Sequence, residues 1–320
     1  MRRKKHILML GLVLFSLFVQ SCDVHEFPLP PVPFVLHLDY DTDMPLYKVV
    51  EHDQPTRAAA QEQYDVRYVV KVFDGNKADS REALYDFVFT KDDISVPDSS
   101  LTVTIPRGDY RFVIWSDYVL QGTDADLFYR TDIFDRLTLS DGEHVGSTDM
   151  RDAFLGSVTA RVSADCAEAT VAMARPLAKF NFVSTDLDEF LSRTDDESLE
   201  NYTVMFRYNG FMPSVYNPYT LARVSAETGV SFRSTLKQLE SGEAELGFDY
   251  VFADDSESCV SVSVEIYDAA GKMLSRFRPV DVPLVRSRLT TVKAAFLTSE
   301  AGGGVSVSPD YEGNHTIVIK

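Results

Sequence analysis

The chain has 320 residues, of which 45% are hydrophobic, and its formal net charge is −18. Its 21 Phe and 15 Tyr residues argue against a long disordered tract, and at about 100–200 residues per domain the length favours two domains. A chain this acidic, with no basic stripe in its sequence, is not expected to bind nucleic acid or anionic lipid surfaces, because phosphate binding depends on clustered Lys and Arg.

The N-terminus has the layout of an export signal. Four basic residues at positions 2–5 precede an apolar run of 13 residues, Ile7 to Val19, which is shorter than the roughly 20 residues of a membrane-spanning helix. Val19-Gln20-Ser21-Cys22 resembles a bacterial lipobox, with Gln20 as a mild departure. We therefore expect residues 1–21 to be a lipoprotein signal peptide, whose removal takes the net charge from −18 to −22.

Cys22 is the expected lipidation site, carrying palmitate or a similar acyl chain. Two or more acyl chains hold a protein stably on a membrane, at about 0.8 kcal/mol per buried CH₂. Residues 22–33 contain four prolines and favour an extended, stiff tether between the lipid and a folded region. The alternative is an ordinary signal peptide that a Cys follows by chance.

From residue 34 the hydrophobic pattern has a period of two. Phe34, Leu36, Leu38 and Tyr40 share one face, as a half-buried strand requires. Turn sequences at 74–76 and 106–108 separate similar runs, and seven short strands predict a β-sandwich over residues 34–175. The other six predicted strands are Val66 to Phe73, Ala83 to Thr90, Leu101 to Ile105, Tyr110 to Trp115, Gly156 to Val162 and Ala169 to Ala174.

The second half repeats this pattern and predicts another β-sandwich over residues 176–320. The boundary is placed at Arg175-Pro176, because Pro cannot donate to a sheet ladder. Asp268 to Gly271 suits a hairpin, and short helices are predicted at 125–134 and 187–192, so the fold class is all-β. The predicted strands are Ala178 to Val183, Thr203 to Tyr208, Leu246 to Phe252, Val260 to Tyr267, Met273 to Arg278, Leu289 to Phe296 and Thr316 to Ile319.

No motif predicts an enzyme, a cofactor or a metal site. The six His residues are not paired at metal-ligand spacing and are expected to be solvated, and nucleophile elbows and phosphate loops are absent. Asp39-x-Asp41-x-Asp43 begins like a calcium loop, but Met44 stands where an EF-hand needs Gly, which favours an acidic turn.

The remaining Cys and Trp residues are interpreted as structural. Cys166 and Cys259 fall in different predicted domains, which favours two separate buried thiols, although export would permit a disulfide. Trp115 is the one Trp of the chain and lies in a predicted strand, so core packing is favoured over a sugar-binding platform.

Several segments, in their order along the chain, resemble the fimbrillin-associated anchor lipoproteins of Bacteroidales type V pili. After the lipobox and tether these are FVLHLDYD, IPRGDYRFVIW, DAFLG, ARPLAKFNF and VPLVRSRLTTVKAAF. The resemblance implies two tandem transthyretin-like β-sandwiches, a lipid anchor in the outer membrane, and a role in cell adhesion at the base of a fimbrium, whose length the protein limits.

The resemblance also implies fimbrial pilin subunits as partners, joined by β-strand complementation. In related pilins, proteolysis after an Arg removes the first strand, whereas anchors keep theirs. Arg57 looks like such a processing site, which leaves a shaft or tip subunit open, and it can equally be an ordinary exposed Arg. The candidate donor strand, Thr316, Ile317, Val318 and Ile319, can alternatively close its own sandwich.

Two other classes of function remain as alternatives. A carbohydrate-binding surface lipoprotein would share the tether and the sandwiches and would display exposed aromatic side chains. A hydrolase on a sandwich scaffold would need an acid and a base paired in a cleft, for which the sequence offers no candidate pair.

Overall fold

A computed structural model describes residues 30–41, 64–77, 79–92, 100–194, 198–298 and 315–318, the last of these by backbone only. The described chain is all-β. Nine strands precede residue 175: β1 (Val32–Tyr40), β2 (Tyr64–Asp74), β3 (Tyr85–Lys91), β4 (Ser100–Ile105), β5 (Gly108–Leu120), β6 (Tyr129–Arg130), β7 (Leu137–Leu139), β8 (Phe154–Val162) and β9 (Glu168–Ala174).

A short 3₁₀ turn at Asp149–Arg151 precedes β8, and the second half contains eleven described strands, one α-helix, α1 (Leu187–Arg193), and a 3₁₀ turn at Leu199–Asn201. Its strands are β10 (Leu177–Ser184), β11 (Thr203–Tyr208), β12 (Met212–Asn217), β13 (Ala222–Glu227), β14 (Ser231–Thr235), β15 (Lys237–Gln238), β16 (Ala244–Phe252), β17 (Ser258–Tyr267), β18 (Met273–Leu284), β19 (Leu289–Ala294) and β20 (His315–Val318).

The strands form four sheets. Sheet A, in the order β3-β2-β5-β8-β9-β1-β4, uses only strands before residue 175. Sheet C (β15-β16-β10-β19-β20) and sheet D (β14-β11-β17-β18) use only strands after residue 176. Sheet B (β13-β12-β7-β6) takes two strands from each half, because β7 pairs with β12. The two halves are therefore joined by backbone hydrogen bonds.

Local sequence explains why these strands form. In β4 the residues Leu101, Val103 and Ile105 are buried while the alternate residues are not, which is the pattern of a strand with one face on a core. Gly75 turns the chain after β2, where a Cβ atom would lie 2.7 Å from the backbone carbon of Asp109. A residue with a side chain would therefore push these two turns apart.

Three hydrophobic cores hold the sheets together. The first core packs β1, β4 and β9 against β2 and β5. All of these strands belong to sheet A, so one sheet covers both sides of this core. The second fills the space between sheets C and D. The third lies between the halves and contains Trp115 from β5, Phe252 from β16 and Tyr216 from β12. Trp115 is fully buried, which confirms the prediction of core packing.

The predicted strands are observed as strands, and the helix predicted at 187–192 and the hairpin at 268–271 are confirmed. The helix predicted at 125–134 is wrong: that segment contains β6, which pairs with β7. Its buried side chains, Tyr129 and Phe134, pack into the third core, so tertiary contacts decide its conformation. Sequence analysis also missed β7 and β12 to β15.

Candidate assembly site

Strand β1 lies inside sheet A and is hydrogen-bonded on both sides. It runs antiparallel to β4 over six residue pairs and parallel to β9 over six pairs. Withdrawal of β1 would leave unpaired backbone groups along both neighbouring strands. The position of β1 therefore defines a groove in the first half of the molecule, and the chain fills this groove with its own strand.

The side chains of β1 also close the first core. Phe34 and Leu36 are fully buried and Leu38 is 5% exposed. The Phe34 ring stacks on Phe112 of β5, with the ring centroids 5.4 Å apart. Burial of side chains of this size is worth about 1.5–3 kcal/mol each. Loss of β1 would therefore open the core as well as the sheet.

A buried ion pair holds the point where the chain leaves β1. Arg175, which is 1% exposed, donates from Nε to both carboxylate oxygens of Asp152 at 2.9 Å. Its Nη1 donates to the carbonyl oxygen of Asp41 at 3.2 Å, and the Asp41 amide donates to the carbonyl of Met173 at 2.8 Å. We call Arg175, Asp152 and the Asp41 carbonyl the Arg175 clamp.

The Arg175 clamp is enclosed by the protein. Asp152 is 1% exposed, and the guanidinium of Arg175 lies 4.5 Å from the centre of the Phe154 ring. Burial raises the pKa of Asp152 above its ordinary value, although Arg175 acts in the opposite direction. Removal of either partner would leave the other charge buried without its counterion, which proteins tolerate poorly.

A second buried cluster joins the segment before β8 to sheet C. The carboxylate of Asp249 in β16 accepts a hydrogen bond from the Tyr208 hydroxyl at 2.6 Å and lies 2.6 Å from Nε2 of His144. Nε of Arg151 lies 3.6 Å from the other carboxylate oxygen. We call Asp249, His144, Arg151 and Tyr208 the Asp249 network. The prediction that every His is solvated is wrong for His144, whose side chain is 9% exposed.

Electrostatics favours the ionised form of Asp249. Burial alone would raise the pKa of its carboxyl group, but the nearby charges of Arg151 and His144 outweigh burial and hold the pKa below its ordinary value. Asp249 is fully buried, so the cluster acts inside the protein as a cross-link between the halves. Lys179 of β10 adds a further link, because its Nζ lies 2.8 Å from Asp149.

The candidate donor strand lies at the edge of sheet C. Backbone pairing places Thr316, Ile317 and Val318 in β20, which runs parallel to β19 from Thr290↔His315 to Lys293↔Val318. Ile319 lies outside the described residues. In this arrangement the strand extends its own sheet, and among the described strands β19 is its one partner. A role as donor to another subunit stays a prediction.

The other predicted site residues are not brought together. Cys22, Arg57 and Asp43 lie outside the described residues. Cys166 and Cys259 are free thiols, but both are exposed, so the prediction that they are buried is wrong. Cys166 lies in the turn between β8 and β9, and Cys259 lies at a position of β17 whose side chain faces away from the second core.

Two further features of the described residues bear on function. No group of three or more His, Cys, Asp or Glu side chains among them is arranged to hold a metal ion. Within the same residues, no helix combines the length and the apolar character needed to cross a membrane. Sequence analysis missed the Arg175 clamp and the Asp249 network, since nothing in the local pattern around Arg175 or His144 identifies a partner so far away along the chain.

The described chain is an all-β protein that fills the groove of its first half with its own strand β1. Apolar packing and buried ionic contacts join its two halves. The chain belongs to the family of unknown function DUF6562, whose model matches residues 34–320. A comparison with curated proteins found no match.

Several solved structures are similar to this chain at low identity. A candidate cell adhesion protein from Bacteroides ovatus shares 15% identity over 91% of this chain and 96% of that one, with a TM-score of 0.46. The fimbrial anchor protein Mfa2 from Porphyromonas gingivalis shares 13% identity over 77% and 81%, with a TM-score of 0.38. A candidate polysaccharide-binding protein from Bacteroides thetaiotaomicron shares 14% identity over 77% and 79%, with a TM-score of 0.46. At these TM-scores no functional conclusion follows from the likeness.

Proposed function

We propose that this protein is an outer-membrane lipoprotein that anchors a fimbrium to the cell surface and limits its length. In this proposal the lipid on Cys22 attaches the chain to the membrane, and residues 22–31 hold two tandem transthyretin-like sandwiches above it; Val32 and Pro33, the last two residues of the predicted tether, belong to β1. Pilin subunits are the partners, joined by β-strand complementation, and the chain has no catalytic activity.

The observation that carries the proposal is the position of β1. Pairing on both sides, three buried side chains and the Arg175 clamp all favour a first strand that stays in its groove. A subunit that keeps this strand stays covalently continuous with the N-terminal lipid anchor. The same subunit cannot accept a donated strand in that groove, so it can end a fibre at the membrane.

A shaft or tip pilin of the same kind is the alternative within this proposal. It would lose β1 after cleavage at Arg57 and then accept a strand from the next subunit. The contacts of β1 argue for retention, because departure of the strand would break two hydrogen-bonded ladders and uncover the first core.

Replacement of the lipidated residue tests the anchor. We expect Cys22→Ala to move the protein from the outer-membrane fraction to the medium and to shed fimbriae from the cells, measured by fractionation and electron microscopy. Cys166→Ala is the matched control, because it removes an exposed thiol and should leave both unchanged. Membrane retention of the Cys22→Ala protein would refute the lipid anchor, and its release with fimbriae still cell-attached would refute the anchoring role.

Deletion of Gly304 to Lys320 tests the C-terminal strand separately. If β20 is donated to a partner, the deleted protein should no longer capture pilin subunits in a pull-down experiment. Unchanged capture would show that the strand serves its own sheet only.

A further inference from the structure

The outer face of sheet D gathers four arginines from three strands. These are Arg207 of β11, Arg233 of β14, and Arg276 and Arg278 of β18, and all four are exposed. They come from three separate segments of the sequence, so no basic run indicated them. We call these four side chains and the sheet surface between them the arginine face.

Strand register places the four arginines close together. Arg233 pairs with Met205, Met205 pairs with Glu265, and Glu265 pairs with Arg276, so these residues form one row across the sheet. At about 4.8 Å per strand, the Cα atoms of Arg233 and Arg276 are about 14 Å apart. Arg207 lies two residues after Met205 in β11, and Arg278 lies two residues after Arg276 in β18.

A carboxylate of the protein itself already pairs with arginines of this face, which shows that their guanidinium groups can bind carboxylates. Glu265, which is 5% exposed, lies between Arg207 and Arg276, with Nε to oxygen distances of 3.2 and 3.3 Å. The Tyr267 hydroxyl donates to the same carboxylate at 2.8 Å. Glu265 thereby holds two of the arginine side chains in place on the flat sheet, which lowers the entropy cost of binding an external anion.

The charge of the arginine face is opposite to that of the whole chain. The chain carries −18, whereas the acidic side chains among the described residues of this face are Glu265 and Asp281. At physiological ionic strength charges are screened over about 8 Å, so a ligand on this face experiences mainly these four arginines and two carboxylates, with a net charge of 4 − 2 = +2. An anionic ligand is therefore the complementary one.

The other side chains of the face favour a sugar over a protein. Ser231, Thr203 and Thr235 present hydroxyl groups beside the arginines, and the apolar side chains include Met205, the 37%-exposed Leu274 and the 47%-exposed Met273, which pairs with Tyr267. Protein–protein interfaces are also rich in Arg and Met, but they are poor in Ser, and here hydroxyl groups stand next to the arginines. Hydroxyl groups beside guanidinium groups suit a ligand that carries both hydroxyls and carboxylates, because Arg binds carboxylates with two parallel hydrogen bonds.

We propose that the arginine face binds an acidic polysaccharide whose charged groups are carboxylates. Arg207 and Arg276, held by Glu265, and Arg233 and Arg278 beside them bind successive uronate groups of one extended glycan chain. This binding is independent of fimbrial anchoring, since it uses the side of sheet D that faces away from the second core and includes no residue of β1.

Fluorescence anisotropy with a labelled oligogalacturonate tests the proposal on the purified protein. The wild type should bind, and binding should weaken as salt is added. The fully methyl-esterified form of the same oligosaccharide, which lacks the charges, should not bind. The quadruple variant R207Q/R233Q/R276Q/R278Q should bind at least about tenfold more weakly.

A matched variant controls for net charge. R130Q/R136Q/R161Q/R193Q removes four arginines that lie elsewhere on the surface, and its affinity should stay within about twofold of the wild type.

R233Q/R278Q leaves both contacts to Glu265 intact and should still lose affinity, which separates ligand binding from stability of the sheet. Absence of wild-type binding, equal loss in the matched variant, or binding of anionic vesicles or single-stranded DNA instead would overturn the proposal.

Discussion

Strands β1 and β20 lie near opposite ends of the chain and are held in different ways. β1 has a hydrogen-bonded neighbour on each side and fully buried side chains, whereas β20 is a four-residue strand at the edge of sheet C, where β19 is its one partner among the described strands. An edge strand can leave by breaking one ladder. A strand inside a sheet must break two and open a core. The comparison separates a strand enclosed on both sides from a strand at the edge of a sheet.

Buried polar contacts fix the chain beside each strand. The Arg175 clamp holds the end of β1. At the end of β19, Asp186 accepts hydrogen bonds from the amides of Leu297 and Thr298 and from the Thr298 hydroxyl. Departure of β20 would therefore leave β19 attached to the rest of sheet C, which limits the effect of exchange to the edge.

The largest expected effect follows from a polar residue in the buried face of β1. Leu36→Asn removes apolar burial and places an amide in the first core, so we expect the free energy of unfolding to fall by about 4–6 kcal/mol in urea titrations. His37→Asn alters the adjacent, half-buried side chain and should cost less than about 1 kcal/mol. Similar losses in both variants would show that β1 is not held through its buried face.

Loss of the Arg175 clamp should come next. Arg175→Ala leaves Asp152 buried without its counterion, and we expect a loss of about 3–5 kcal/mol in the free energy of unfolding. Arg130→Ala, which breaks an exposed pair with Asp141, should cost about 0.2–1 kcal/mol. If the two substitutions cost the same, the Arg175 clamp contributes no more than a surface ion pair.

The Asp249 network predicts a specific pH dependence. The pKa of Asp249 is lower in the folded protein than the ordinary value of 3.8, so the stability that ionised Asp249 contributes is complete above that pH. We expect Asp249→Asn to cost about 1–3 kcal/mol at pH 5 and 7. The difference from the wild type should shrink only below about pH 4, as the wild-type carboxylate takes up a proton. A difference that shrinks between pH 7 and 5 would contradict this assignment.

The smallest effect is expected at the C-terminus. Removal of residues 315–320 deletes one four-residue edge ladder and should lower the free energy of unfolding by less than about 1 kcal/mol. The measurement is a urea titration of the truncated chain beside the wild type. A loss as large as that of Leu36→Asn would mean that β20 is as integral as β1, and the contrast between the strands would fail.

Long strands with one buried face could be predicted from the sequence, because alternation in Phe34 to Tyr40 or Leu101 to Ile105 reflects local burial. The strands that were missed lack this signal. Pro213 interrupts the strand pattern of β12, β13 has no buried residue, and β6 and β15 have two residues each. Their pairing depends on partners in the other half or across a sheet, which local patterns do not contain.

The same limit applies to the candidate sites. His144 was expected to be solvated because it is not paired at metal-ligand spacing and lies beside a loop, yet its partner Asp249 is 105 residues away. The arginine face arises only when β11, β14 and β18 are aligned in one sheet. Conversely, Trp115 was placed correctly in a core, because a strand pattern surrounds it. Residues whose role depends on local periodicity were predictable, and those whose role depends on register were not.

Cleavage of the chain between β1 and β2 tests retention of β1 most directly. A protease site is inserted into residues 42–63, and the folded protein is treated with the protease until electrophoresis shows complete cleavage. Size-exclusion chromatography with mass spectrometry then shows whether the N-terminal fragment stays bound. We expect the fragment to remain with the rest of the chain, and to be released after the same cut in the Arg175→Ala protein. Spontaneous release of the fragment from the cut wild-type protein would contradict a first strand that stays in its groove.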